Sequence, residues 1–263
     1  WDEQTVGVPD VNVVSVSSSV GQAKRLPDIL ASVKDYGDCA IVLPDENLLV
    51  PVLNSIPPQV DAVNVTMGLP MKSSILYSLM DTVSSMQLHL AIRRSSWHFY
   101  HKQVWDLFSN PLFRNAADEK TLEIVSGVKA AAKYYIPQSD LSGTPLLDAV
   151  FRPVITDPKS KDRGQISDFV RYQQEIITAV AAAAAVNPQL ALEAEYAKEY
   201  YKAVAMLQDS LMDMEILPMT YVRLLGQLIG MSSVPFRGEP LKGLQIMVPL
   251  ETRGLDFRTV VIM

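Results

Sequence analysis

Cysteine is almost missing: the 263 residues hold one, Cys39. A single thiol excludes an internal disulfide framework, and its place at the head of the apolar run 39–43 reads as a buried, inert thiol in a reducing cytoplasm. Long apolar runs are missing too. The longest, at 176–186, has about half of the ~20 residues needed to span a bilayer, and the N-terminus lacks the basic and apolar regions of a signal peptide, so no membrane role is expected. Positive charge is scarce. Lys and Arg total 23 against 29 Asp and Glu, giving a formal net charge of -6 and a pI near 5.1. That balance excludes nucleic-acid recognition through a strong overall positive field and leaves room only for a local basic stripe. No G-x-x-x-x-G-K-[ST] phosphate loop occurs, no nucleophile stands at a recognisable spacing from a base, and the His residues show no third metal ligand nearby. Catalytic and metal-ligating residues are therefore not assigned.

What is present is a globular composition. With 48% apolar and 20% charged residues, the chain can bury one large or two smaller cores, which excludes a disordered chain. Its two ends share one texture. Runs at 11–16, 39–43 and 61–66 read as strands, with a helix at 21–36 carried by Leu26, Ile29, Leu30 and Val33 and a short helix at 45–54. Near the C-terminus, 244–250 and 259–263 read as strands buried on both faces, flanking the charged turn 251–257. The chain stops within the last of these, which gives the expectation of a piece of a larger protein. Strand and helix alternating at these spacings predict a parallel α/β sheet. Between the ends, helical periodicity dominates at 74–90, 97–108, 118–135, 166–186, 189–213 and 214–231, with a breaker-rich loop at 157–164. The predicted division is an α/β domain over 1–71 plus 232–263, interrupted by an α-helical insertion over 72–231.

The segment 248–257, Val-Pro-Leu-Glu-Thr-Arg-Gly-Leu-Asp-Phe, resembles motif V of the UvrD-like superfamily-one helicases, T-x-H-x-x-K-G-L-E-F followed by an apolar strand. Gly254, Leu255 and Phe257 match, Arg253 stands for Lys and Asp256 for Glu, while Val248 and Leu250 replace the family's Thr and His. The segments 20–24, 40–49 and 63–70 are similar to the corresponding part of bacterial AddB-type helicase-exonucleases. The resemblance implies a RecA-like (P-loop NTPase-like) second motor domain with its helical insertion, in an AddB/RecB-like parent active in DNA double-strand break repair and recombination. It further implies ATP and magnesium for that parent though not for this piece, single-stranded DNA as ligand, a helicase-nuclease partner subunit, a PD-(D/E)XK nuclease further downstream, and a cytoplasmic location. The lost polar residues at 248 and 250 imply a degenerate motor that holds DNA. This chain alone is expected neither to hydrolyse ATP nor to cut DNA.

On that resemblance, the residues facing DNA or the nucleotide cleft are Thr252, Arg253, Gly254 and Asp256 in the turn, Gln22, Lys24 and Arg25 at the opening of the first helix, and Thr66 and Gly68 after the third strand. Simpler readings stand beside them. Arg253 and Asp256 can pair with each other on the surface, and the residues after Ser17–Ser19 can merely cap a helix. His98 and His101, three apart on an expected helix, suggest a metal pair or, with Trp97 and Tyr100, a base-stacking platform, against the blander reading of half-buried histidines with Trp97, Tyr100 and Trp105 in the core. Asp45 with Glu46, and Asp213 with Glu215, are carboxylate pairs without a visible partner, and Glu193, Glu195 and Glu199 read as a solvated helix face with Lys198 and Lys202. The rival function is a non-catalytic protein-interaction domain, docking through the Ala-rich helices 176–213.

Overall fold

The computed structural model describes residues 9–234, 243–252 and 254–263. The chain divides into two compact units, Leu69–Val234 and the remainder. The N-terminal part holds helices α1 (Ser19–Ala23) and α2 (Leu26–Leu30), strand β1 (Cys39–Val42), helix α3 (Leu49–Leu53) and strand β2 (Val63–Val65). The second unit opens on β3 (Leu69–Pro70) and continues through α4 (Ile75–Leu88), β4 (Ala91–Arg93), β5 (Ser96–Tyr100), α5 (His101–Ser109), α6 (Pro111–Ala116), α7 (Glu119–Ala131) and β6 (Tyr135–Pro137). Helices α8 (Pro145–Val150), α9 (Arg163–Ala185), α10 (Ala191–Leu211) and α11 (Pro218–Gly230) follow, and β7 (Ser233–Val234) closes that unit. The chain then returns to the first unit with β8 (Leu244–Met247) and β9 (Thr259–Ile262). No helix among the described residues is long and apolar enough to cross a membrane.

The first unit is α/β. Its four strands are all parallel in the order β2-β8-β1-β9, with Ala40 opposite Gln245, Val63 opposite Leu244 and Cys39 opposite Thr259. The inner strands β1 and β8 are buried along their whole length, as the apolar run of β1 and the mostly apolar β8 favour. Burial and the neighbouring Asp38 carboxylate push the Cys39 thiol up to about 11. Gln245 is the polar exception in β8. Asn64 Nδ2 donates to its Oε1 at 2.7 Å across the sheet, and its Nε2 donates to Gly243 O at 3.0 Å, so the buried amides satisfy each other. Gly243 takes φ +77°, and a Cβ there would lie 2.1 Å from Ala62 O, so this strand entry admits only glycine.

Three expectations for this unit are corrected. Residues 11–16 form no strand, and Val11, Val13 and Val14 face solvent. β9 is not buried on both faces: it lies at the sheet edge with Val260 and Ile262 exposed and Thr259 and Val261 half-buried, so its apolar run alternates in burial. The helix at 21–36 is two short helices, because Pro27, which has no N–H, starts a new first turn in α2.

In the second unit α9 and α10 pack against each other, with α6 and α8 beside α9 and α4 and α11 beside α10. Phe99, Phe108, Phe113, Phe151, Phe169, Tyr172 and Tyr221 fill its interior. Several polar groups caught in this core are paired: Tyr221 Oη donates to Gln173 Oε1 at 3.0 Å, and Gln173 Nε2 donates to Ser84 Oγ at 3.2 Å, whereas Gln103 Oε1 is buried without a partner among the described residues. The first turn of α4 is closed from α10, where the buried Glu193 carboxylate accepts from Ile75 N at 3.1 Å and Leu76 N at 2.8 Å, while Ser74 Oγ accepts from Tyr77 N. Glu193 is thus no solvated helix-face residue. A negative group at a helix N-terminus satisfies free amides and opposes the helix dipole. The expected helix at 97–108 is half strand: β4, β5 and β6 form an antiparallel sheet, and α5 begins only at His101.

Candidate functional site

Parallel α/β sheets bind ligands at the carboxyl ends of their strands, because the loops that leave there carry polar groups to one rim. In the first unit that rim is built from the segments after β1, β2 and β8. The loop after β2 starts with Thr66, whose N–H donates to Ile246 O at 3.0 Å and so extends the β2–β8 ladder by one step. Its hydroxyl donates to the Glu251 carboxylate, in the short 3-10 turn Pro249–Glu251 that follows β8. Residues 185 positions apart are thereby clasped over the ends of two neighbouring strands. Met67 is buried, and Gly68 is half-buried where the first unit's chain passes to Leu69.

Beyond Glu251 the chain turns tightly. Thr252 Oγ1 donates to Pro249 O at 2.8 Å, and Leu255 N donates to Thr252 O at 2.6 Å. Gly254 lies inside this turn at φ +74° with open space where a Cβ would be, so backbone conformation alone selects glycine. Asp256 is exposed, and Arg253 lies outside the described residues. The turn ends where Arg258 meets Asp38: its N–H donates to Asp38 Oδ1 at 3.1 Å and its Nε lies 3.2 Å from Oδ2, fixing the start of β9 beside β1.

The N-terminal candidates fall differently. Gln22 is half-buried in α1, a helix of five residues, while Lys24 and Arg25 lie past its end and not at its opening. Ser18 Oγ already accepts from Gly21 N at 3.0 Å, which uses one of the amides a phosphate would seek. Arg25 pairs with Asp28 at 2.8 Å, both side chains more than half exposed, a contact of little energetic weight. Lys24 is exposed.

The fold places Thr66 beside Glu251, a residue absent from the sequence-based candidates because its hydroxyl partner is visible only once β2 and β8 are neighbours. Asp45 caps its own short turn, accepting from Asn47 N at 3.0 Å and Asn47 Nδ2 at 2.8 Å. The two histidines do not share a helix: His98 lies in β5 and His101 starts α5, each with Nδ1 beside a backbone oxygen, of Ser96 and Tyr134. No group of three His, Cys, Asp or Glu among the described residues is placed to hold a metal ion.

The described rim offers hydroxyls and carboxylates for hydrogen bonding. Among the described residues it shows no converging amides or cations of the kind that hold a triphosphate, while Glu251 and Asp256 are oxygen donors of the kind magnesium takes. The triphosphate of ATP, as implied by the resemblance for the parent, would be held by other residues. No protein-family model matches the chain, and no curated protein matches it.

Proposed function

We propose that the chain is the RecA-like second motor domain, with its helical insertion, of an AddB/RecB-like helicase-exonuclease, and that it serves DNA double-strand break repair by gripping single-stranded DNA as a scaffold. The observation that carries this reading is the clasp between Thr66 and Glu251. It gathers the segment after β2 and the motif-V-like turn 248–257 at the carboxyl end of a four-stranded parallel sheet, the place where an α/β domain presents ligand contacts. Gly254 at positive φ supports it further, because this left-handed backbone position suits a tight bend after β8. Val248 and Leu250 in place of the motif's Thr and His favour holding over ATP-driven movement.

A second reading, a docking domain for a partner subunit, draws on one observation: Met206, Met212, Met214, Met219 and Met231 are exposed along the α10–α11 region, and flexible apolar side chains suit adaptable interfaces. Fluorescence anisotropy of labelled oligothymidylate separates the two. The DNA reading expects Arg253→Ala and Lys24→Ala to weaken binding and to reduce its salt dependence, because phosphate contacts release counterions and apolar contacts do not. Unchanged affinity in both variants would remove the rim from the contact, and no binding by the native chain would favour docking.

A further inference from the structure

The second unit carries a group of rings that its core does not absorb. Along one face of α5, His101, Trp105 and Ser109 recur at four-residue spacing, and opposite them stand Lys129, Lys133 and Tyr134 from the end of α7 and the turn after it. They enclose an open cavity of about 490 Å³ that no carboxylate lines. In a chain of net charge -6, a cavity walled by three aromatic rings and two ammonium groups is a local reversal of sign.

Its construction is specific. Ala132 ends α7 in the left-handed region at φ +46°, a conformation that costs a non-glycine residue roughly 1–2 kcal/mol, and this turn throws Tyr134 outward to 62% exposure. His101 N donates to Tyr134 O at 3.1 Å, which locks the ring beside α5. The rings run on from there: His101 to Tyr134 at 4.5 Å between centroids, Tyr134 to Tyr100 at 5.2 Å, Tyr100 to Tyr135 at 5.8 Å, and Arg93 lies 3.7 Å over the Tyr135 face. Cations at a helix C-terminus explain Lys129 by itself. They do not explain half-exposed rings that pack on one another and leave a pocket between them. Lys133 pairs with Asp140 at 2.6 Å, but the lysine is 47% exposed, so a phosphate can compete for it at little cost.

We infer that the pocket formed by His101, Trp105 and Tyr134, with Lys129 and Lys133 at its edge, stacks a base and holds its phosphate from single-stranded nucleic acid. Rings with free faces accept any base, and lysines take the backbone charge without reading sequence. The site belongs to the second unit, and the sheet rim to the first. It deepens the DNA-gripping reading, on which its choice of ligand rests, by adding a second contact that can fail or stand separately.

Anisotropy titrations of labelled oligothymidylate with the whole chain test it, using Tyr134→Ala, the double variant Lys129→Ala with Lys133→Ala, and Arg253→Ala. Tyr134 and both lysines are exposed, so these variants are expected to fold, with circular dichroism as the check. Loss of the ring weakens binding at least about fivefold, and loss of the lysines lowers the salt slope by about 1.4, from roughly 0.7 per phosphate contact on a single strand. Loss with Arg253→Ala alone would overturn the pocket and leave the rim reading standing. Loss with the pocket variants alone would support the pocket and overturn the rim. No loss in any variant, or no binding by the native chain, would overturn the pocket. Thymidine monophosphate that binds as tightly as the oligomer would overturn the strand as ligand and make this a free-nucleotide site.

Discussion

At the scale of single residues, the sequence speaks plainly where one side chain meets one constraint. Cys39 heads an apolar strand and is wholly buried, its thiol raised to about 11 by desolvation. A thiol reagent at pH 8 is therefore expected to leave it unmodified in the native chain and to label it fully in denaturant; fast native labelling would mean that β1 opens. Gly243 shows the limit of such reading. Nothing in its neighbours announces a glycine whose added Cβ would strike Ala62 O at 2.1 Å, since the obstacle is 181 residues away in sequence and arrives only with the β2–β8 pairing. Gly243→Ala is expected to cost several kcal/mol, on the scale of about 3 or more that marks a backbone clash with strained φ, read as a lowered urea midpoint. Glu193 is the third case. It looks like one carboxylate of a charged helix face, yet burial raises its pKa above the ordinary carboxylate value while two backbone amides pull the other way. With the folded value raised, the native state holds the proton more firmly than the unfolded state does, so this group's contribution falls as pH rises through and above the ordinary carboxylate range. Glu193→Gln is expected to flatten that part of the stability profile. At neutral pH it leaves one of the two amides without an acceptor, at a cost of about 1–3 kcal/mol. Equal pH profiles for the two proteins would contradict this.

At the scale of elements, β1 was legible because a strand buried on both faces carries an unbroken apolar run, β2 and β8 because short apolar runs with one polar residue each still read as strands, and the long helices α9 and α10 because Ala-rich periodicity leaves little else. β9 was legible as a strand and misread in its burial, because a four-residue apolar run reads the same at the edge of a sheet as at its centre. The hairpin β4–β5 was not legible. Trp97, Tyr100, His101, Val104, Trp105 and Phe108 recur at three- and four-residue spacing and imitate one helix, while the period-two signal of β5 is only five residues long. Its turn also conceals itself. Arg94 and Ser95 both take positive φ, at 49° and 62°, where a hairpin usually uses Asn-Gly. Replacing them by Arg94→Asn and Ser95→Gly is expected to stabilise the unit by about 1 kcal/mol through relief of that strain, measured as a higher urea midpoint at unchanged slope. A loss of stability would mean that the Arg94 and Ser95 side chains make contacts that matter more than their backbone strain.

At the scale of the whole molecule, composition set firm bounds on class and left function to a few loops. An acidic chain cannot hold DNA by its overall field, so any grip must come from local donors: the turn after β8 in one unit, and the rings and lysines around α5 and α7 in the other. The first is proposed from a resemblance in the sequence, the second from the fold alone, since Lys129 to Tyr134 and His101 to Trp105 come from different elements. The most direct test is the salt dependence of oligothymidylate binding by the intact chain. The account predicts saturable binding whose logarithm falls linearly with the logarithm of salt, at a slope of at least about 1.4, corresponding to two or more phosphate contacts. Binding that ignores salt, or none at the lowest ionic strength, would contradict it.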